Sequence, residues 1–595
     1  MEFKIAMGQI NPVTGDLRGN TDQIIDCIRS AVKDGSDIVV LPELAITGYC
    51  CGAMFEQKTF VEYNERFLRE EIVPLVKKDL VCVVGFVEMG EQYPNGTFQR
   101  FNSCAVIQNG EIVNIYRKMF LANDGHHEDM KYFTPGSQDP GENSYTTSVT
   151  HKATHRNVVI STLICEDIWP SHDDVHIDVA TSLSKILISI NHSYFYYGKE
   201  NERRSLVGGI AKKYNTPVVY LNPVGVGDIV KNVMVYDGNS FISNEKGQVI
   251  FESIMPSFKQ RYRQVVVGDN NAFLTASQED KYSSIFKALT YTLKEFYRLS
   301  GLSKAQVHVS GGLDSAIGAC LAAEAMGPEN CVFISNPTKF NGEETRVFAQ
   351  HIADELNVKL HWNPTGAIYD QVAIEHINTF ESMPTPAGKA SIQAVSRTVQ
   401  GLAASHHFGS GIIACGNHTE LVLGWASFHD IGSIGVLSLI GDLTKVEVFE
   451  FAEWINEHLG TAIIPPALYN GESKPAAELP DSNEDPFDYF VVSGICAEII
   501  RNKKDVDTIV NDFKNKTLTK DFFPTDWQGF EIYDKFHNVD LEGFRKQVEF
   551  CFHKSKISVY KAAQSAPVPI ISKISRGFSS RETLINKYEG SYKIG

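Results

Sequence analysis

VHVSGGLDSAIGA, residues 307–319, decides how the second half of the chain is read. A short β-branched run, Gln306–Val309, meets Gly311–Gly312, and a small-residue helix pattern follows from Ser315. The same rhythm recurs downstream. Cys331–Ser335 leads to a helix from Gly342, and Gly411–Cys415 to a helix near Thr419. Strands alternating with helices predict a parallel, doubly wound sheet. Glycines between a strand and a helix let backbone N–H groups approach an anion closely, so the loop reads as a phosphate cradle. It has no GK[ST] and is not a Walker A loop. Asp314 sets a carboxylate beside the phosphates, where it can hold Mg²⁺.

Upstream, Tyr282, Ile285, Phe286, Leu289, Leu293, Phe296 and Tyr297 fall on one face of a helix. A break at Gly268–Asn271 precedes it. The first 268 residues have a different, strand-rich rhythm. Val39–Leu41, Val81–Gly85, Val158–Ile160, Ile186–Ile188 and Val218–Tyr220 suit buried strands. Asn109–Gly110 joins Ser103–Val106 to Ile112–Tyr116 as a hairpin. A second hairpin is expected from Ser240–Ile242 to Val249–Phe251. The proline-rich stretch 465–486 reads as a long loop. The expected organisation is 1–268, a linker at 269–278, and 279–595.

The 595 residues are 43% hydrophobic and 21% charged, an ordinary globular mixture. A net charge of −17 argues against a nucleic-acid partner. No CxxC pair occurs among the eleven cysteines, which leaves zinc ribbons and thioredoxin-type motifs without support. There is no signal-peptide pattern and no run of 18 apolar residues, so no membrane partner is expected and the compartment reads as cytoplasmic.

Three segments of the first half place a reactive side chain after a strand: Leu41–Pro42–Glu43, Tyr116–Arg117–Lys118 and Leu163–Ile164–Cys165. Taken singly, each has an ordinary reading. A free cysteine is usually buried and inert, Glu43 a solvated loop acid, and Lys118 a surface hairpin lysine. Together they form an acyl-transfer set, with a thiol nucleophile, a carboxylate base and an ammonium for the oxyanion. Cys165 is followed directly by two acids and then Trp169–Pro170. His172 and His176 have a metal-compatible spacing, but Asp173–Asp174 follow the first histidine, and a solvated acidic turn is the better reading.

LPELAITGY (41–49), YRKMFLAND (116–124), YFTPG (132–136) and LICEDIW (163–169) resemble the nitrilase, or carbon–nitrogen hydrolase, superfamily across almost all of residues 1–268. The resemblance implies an αββα sandwich with Glu43 as general base, Lys118 as oxyanion stabiliser and Cys165 as nucleophile. INHSYFYYGKENERR (190–204) resembles the glutaminase branch, in which Ser193 and Lys199 would hold the glutamine backbone. A second family glutamate often precedes the Tyr-Phe pair. Asp129 holds that position here, Glu128 is adjacent, and either could fill the role.

The cradle resembles the PP-loop of the ATP pyrophosphatases, whose fold is adenine nucleotide α-hydrolase-like. These enzymes cleave ATP between its α and β phosphates. ACGNHTELVLGW (414–425), residues 428–455, SKPAAELPDSNEDP (473–486) and SRGFSSRETLIN (575–586) extend the resemblance to the NAD synthetase branch over most of residues 279–595. It implies ATP binding by Ser310, Gly311, Gly312, Leu313, Asp314, Ser315 and Lys445. Asp314 and Glu420 would share Mg²⁺, and Gln393, Arg397 and Glu420 would bind deamido-NAD⁺. The chain departs from the family at 390–397, where Gln393 and Arg397 survive but an acid, an amide and an arginine do not. Cys415, His418 and His429 replace a threonine, a lysine and a glycine.

A nitrilase-type glutaminase joined to a PP-loop synthetase resembles the glutamine-dependent NAD⁺ synthetases. The implied reaction amidates deamido-NAD⁺ through an adenylate, using ATP and glutamine and releasing AMP, pyrophosphate and glutamate. A homo-oligomer formed through synthetase-domain dimers is implied as well. Two alternatives stand beside it: the same mechanism on another carboxylate, and a glutamine amidase with a nucleotide-sensing second half.

Overall fold

The computed structural model describes residues 2–123, 126–169, 175–268, 272–273, 279–425, 429–473, 485–537, 540–573, 588 and 590. His172, most of 269–278 and of the 473–486 segment, and the 575–586 segment lie outside the described residues. The chain divides into two compact units: residues 1–229 with 234–281, and residues 230–233 with 282–595.

Two large sheets form the sandwich of the first unit. One comprises β1 (Phe3–Gln9), β2 (Ile38–Val40), β3 (Val81–Gln92), β4 (Phe98–Gln108), β5 (Glu111–Arg117) and β11 (Arg261–Val267), in the order β11-β1-β2-β3-β4-β5. The other comprises β6 (Thr146–His151), β7 (Arg156–Ile164), β8 (Leu187–Ile190), β9 (Val218–Leu221) and β10 (Phe241–Ser243), in the order β10-β9-β8-β7-β6. The period-2 alternation of strands sorts their side chains into layers. Ile5, Met7, Val81 and Val83 share a core with Ile160, Ile188, Ile190 and Tyr220 of the other sheet. Ala6, Val39, Cys82 and Val84 point the opposite way, onto Ile24 and Ile28 of α1 (Leu17–Lys33). On the far side, α2 (Val175–Leu183) and α3 (Lys199–Tyr214) cover the second sheet. The result is the expected helix–sheet–sheet–helix sandwich.

The Asn109–Gly110 hairpin forms as expected, with both residues at positive φ (52° and 83°), which matches the right-handed twist of β4 and β5. The second expected hairpin narrows to a single bridge, Ser243–Val249. The Ile250 N–H still reaches the Ile242 carbonyl. The chain then turns at Phe251–Ser253, closed by the Ser253 N–H on Ile250, before the Met255 N–H returns to the Ser240 carbonyl.

The second unit begins with α4 (Lys281–Leu299), on the face that the apolar spacing predicts. Its sheet contains β12 (Ala305–His308), β13 (Cys331–Ser335), β14 (Leu360–Trp362), β15 (Gly411–Ala414) and β16 (Leu437–Ser438). All are parallel, in the order β14-β13-β12-β15-β16. Interleaved helices are α5 (Leu313–Met326), α6 (Glu343–Glu355), α7 (Gly366–Phe380), α8 (Pro386–Phe408), α9 (His418–Leu423) and α10 (Lys445–Leu459), followed by α11 (Tyr489–Ile500). The chain winds outward from β12 to β14 and then crosses to β15. The order reverses between β12 and β15, and such a switch point opens a crevice at the carboxyl ends of the strands. The cradle after β12 and the Cys415–Asn417 loop after β15 are therefore neighbours. Gly311 is fixed by this geometry: its φ is +86°, and a Cβ there would lie 1.9 Å from the Thr345 carbonyl oxygen.

Candidate active sites

Three strand ends bring the first set together. Glu43 follows β2, Lys118 follows β5 and Cys165 follows β7. Glu43 and Lys118 are 0% and 1% exposed. The Lys118 ammonium donates to Glu43 Oε1 at 2.7 Å and to Asp129 Oδ2 at 2.7 Å. Asn102, on β4, donates a further 2.7 Å bond to Glu43 Oε1. Glu43 Oε2 is buried with no hydrogen-bond partner among the described residues, which leaves it available as a proton acceptor. Asp129 also accepts from the Tyr49 hydroxyl. Glu128 instead pairs with Lys131 at 3.5 Å, so Asp129 is the acid that stands beside the lysine.

The backbone holds these groups closely. The Gly85 N–H bonds to the Pro42 carbonyl and the Ala45 N–H to the Gly85 carbonyl, and a Cβ at Gly85 would come within 2.7 Å of Glu43 Cα. Burial pulls His192 down to about 4, so its ring is neutral, and its Nδ1–H donates to the Glu43 carbonyl at 3.0 Å. Cys165 has φ +47°, a strained conformation for a side-chain-bearing residue, of the kind found at functional turns. Burial and then the Glu43 charge push its thiol well above the ordinary range, with Lys118 opposing. Burial works against the Lys118 charge, but Asp129 and Glu43 hold its pKa well above the usual value.

Ser193 sits in a buried hydrogen-bonded loop. Its N–H donates to Asn222 at 2.8 Å, and its carbonyl accepts from Arg203 at 2.8 Å. Arg203 is itself fully buried against Asp237 at 2.7 Å. The Lys199 ammonium lies 3.8 Å from the ring centre of Trp169, four residues beyond Cys165. This contact ties the lysine to the nucleophile turn.

In the second unit, the Ser315 hydroxyl lies 3.1 Å from that of Ser310 and donates to the Gly312 carbonyl at 2.8 Å, shaping the cradle. Asp314, in the first turn of α5, accepts from Asn417 at 2.9 Å. Lys445 opens α10 behind the Thr444 cap and donates to Asp314, with Glu420 3.7 Å away. Burial and the Asp314 charge push Glu420 up to about 8. Gln393 and Arg397, one turn apart on α8, form a second group. Gln393 donates to Thr338 at 3.2 Å and Arg397 to Asn341 at 3.4 Å, both on the loop after β13.

Sequence reasoning missed Asn102, Asn417 and the Arg203–Asp237 pair. Asn417 lies inside the GNHTE motif and could have been read there, whereas an asparagine in mid-strand such as Asn102 carries no pattern. His176 Nε2 meets the Asp167 carbonyl at 2.5 Å. Among the described residues, no three His, Cys, Asp or Glu side chains form a group that could hold a metal ion.

The electrostatics give a signed expectation. Glu43→Gln removes the negative charge that, after burial, raises the Cys165 thiol most, so the thiol pKa should fall. The midpoint of the pH dependence of alkylation by iodoacetamide, followed by mass spectrometry of the Cys165 peptide, should move to lower pH, whatever happens to the rate at any one pH. A midpoint moved to higher pH would contradict the charge arrangement.

Residues 4–257 match the carbon–nitrogen hydrolase family, and residues 285–520 match the NAD synthase family. A glutamine-dependent NAD⁺ synthetase of Synechocystis sp. is 27% identical over 547 residues, covering 87% of this chain and 92% of that one. One from Xanthomonas campestris is 25% identical over 601 residues, covering 99% and 98%. Among solved structures, the glutamine-dependent NAD⁺ synthetase of Cytophaga hutchinsonii superposes with a TM-score of 0.77 at 18% identity, covering 98% of each chain. That of Acinetobacter baumannii, in complex with ADP, gives 0.71 at 23% identity, covering 98% of this chain and 99% of that one. The chain thus joins a carbon–nitrogen hydrolase domain to an NAD synthase domain, and it belongs to the family of glutamine-dependent NAD⁺ synthetases.

Proposed function

We propose that the chain amidates deamido-NAD⁺ to NAD⁺, with residues 1–268 acting as the glutaminase, 269–278 as linker and 279–595 as the synthetase. The observation that carries this reading is that one chain holds both a buried Cys–Lys–Glu set and a glycine cradle with paired carboxylates at a sheet switch point. Glu43 takes the Cys165 proton as sulfur attacks the glutamine side-chain carbonyl, and the Lys118 ammonium stabilises the oxyanion. Ammonia leaves with the proton held by Glu43, and water then releases glutamate from the thioester. Ser193 and Lys199 hold the glutamine backbone.

In the synthetase, Ser310–Ser315 and Lys445 bind ATP, while Gln393, Arg397 and Glu420 bind the dinucleotide. The substrate carboxylate attacks the ATP α-phosphate, pyrophosphate leaves, and ammonia displaces AMP. Asp314 and Glu420 fit a magnesium ion. Burial and then the Asp314 charge raise Glu420, and a divalent cation held by one or two carboxylates plus substrate phosphates would relieve that charge. When bound, the ion would neutralise charge developing on the leaving pyrophosphate.

The oligomer reading has a surface to act on. α7 and α8 pack together and leave Ile374, Phe380, Val395, Val399 and Leu402 exposed, Phe380 at 65% and Val399 at 55%. Large apolar side chains exposed on two neighbouring helices suit an interaction site, and a second copy of this unit is the occupant we assign. All eleven cysteines are free thiols, in keeping with a reducing cytoplasm, and no described helix is long and apolar enough to cross a membrane.

Cys165→Ala should abolish glutamine-dependent synthesis and leave ammonia-dependent synthesis intact at mildly alkaline pH. Retained glutamine use would remove Cys165 from the mechanism. Asp314→Ala should reduce NAD⁺ formation by about 100-fold or more with either nitrogen source, as expected for loss of a charge-stabilising group. Val399→Glu should shift the light-scattering mass towards the monomer, and an unchanged mass would move the interface elsewhere.

A further inference from the structure

The two acids that follow the nucleophile in CEDIW are not alike. Asp167 is fully buried. Its carboxylate is met by four hydrogen-bond donors, as a buried carboxylate requires. Its Oδ2 accepts from the Ile164 N–H at 3.0 Å and the Tyr116 hydroxyl at 2.7 Å. Its Oδ1 accepts from the Met119 N–H at 3.1 Å and the Phe120 N–H at 2.9 Å. These donors come from two separate strand ends. Ile164 directly precedes Cys165, while Tyr116, Met119 and Phe120 bracket Lys118. One side chain thereby ties the β7 end to the β5 end.

The Cys165 turn needs such a tie. The residue sits at φ +47°, a conformation that persists only where its surroundings enforce it. Asp167 closes the short turn Cys165–Ile168 by capping Ile164, three residues back. It also sets the height of the Lys118 segment relative to that turn. We propose that Asp167 is a positioning residue of the glutaminase reaction, whose carboxylate fixes the Lys118 ammonium and the Cys165 thiol relative to each other. This rests on Cys165 being the nucleophile.

The test is Asp167→Asn in the full-length protein. The substitution keeps size but turns one acceptor oxygen into an amide that faces donors. Glutamine hydrolysis should lose about 10- to 100-fold in kcat, the scale on which a small misplacement of reacting groups is felt. KM for glutamine should stay within about 3-fold, because Ser193 and Lys199 are untouched, and ammonia-dependent NAD⁺ synthesis should be unchanged. Inactivation by a diazoketone analogue of glutamine, which reads the thiol itself, should slow in parallel with kcat. A kcat within about 2-fold of the parent, or a loss confined to KM, would overturn the proposal. If the variant is too unstable to retain ammonia-dependent activity, Tyr116→Phe decides. It removes one donor and keeps the ring, and it should lower kcat several-fold at constant KM; an unchanged kcat again overturns the proposal. Cys165→Ala run alongside separates the two ideas. Residual glutaminase there would remove the nucleophile assignment, whereas a dead Cys165→Ala with unimpaired Asp167→Asn would remove Asp167 alone.

Discussion

A buried ammonium between two carboxylates organises the first unit. A lone charge at 1% exposure would cost several kcal/mol in lost solvation. Lys118 avoids that cost only because Glu43 and Asp129 both stand at 2.7 Å. Two carboxylates surround one ammonium in this cluster. Releasing the Cys165 proton to solvent would add a further negative charge inside a low-dielectric site, and burial first and then Glu43 push the thiol well above its usual range. Passing the proton to Glu43 leaves the total unchanged. The same burial that makes the free thiolate costly therefore makes a local base the favourable acceptor, and the unpartnered Glu43 Oε2 is where such a proton can go.

The second unit repeats the pattern with different consequences. Asp314, Glu420 and Lys445 again place two acids around one cation. Here burial and the Asp314 charge hold Glu420 up to about 8. A site with one under-compensated carboxylate can take up more positive charge as substrate phosphates arrive. A site with a centred ammonium is closed and suited to steering a proton. Residue types barely distinguish the two; their geometry does.

Much of this was legible from sequence, for local reasons. Glu43, Lys118 and Cys165 each end a strand inside a short motif, and the Gly-Gly loop sits where a strand hands over to a helix. The doubly wound sheet of the second half followed from its alternation of strands and helices, whereas the αββα sandwich of the first half came from the family resemblance. What was not legible depends on tertiary placement. Glu128 and Asp129 are neighbours in sequence, and only the position of Lys118 selects the second. Asn102 looks like any strand residue until β4 is laid beside β3. The second hairpin was overextended because periodicity does not register the turn at Phe251–Ser253. Gln393 and Arg397, one helical turn apart, could be assigned to one face of α8, but the loop they meet after β13 was not predictable from spacing.

Each charge cluster also closes within its own unit. Glu43, Asp129, Lys118 and Cys165 all belong to the first, and Asp314, Asn417, Glu420 and Lys445 all belong to the second. The charges that shift Cys165 and Lys118 belong to the first unit, and those that shift Glu420 belong to the second. Two chemistries with opposite demands, a thiol kept protonated until a base is at hand and carboxylates kept ready for added cationic charge, are thus each set by charges of their own unit. The strand-end placement makes this possible, because each reactive side chain is held by its own sheet and its own turn.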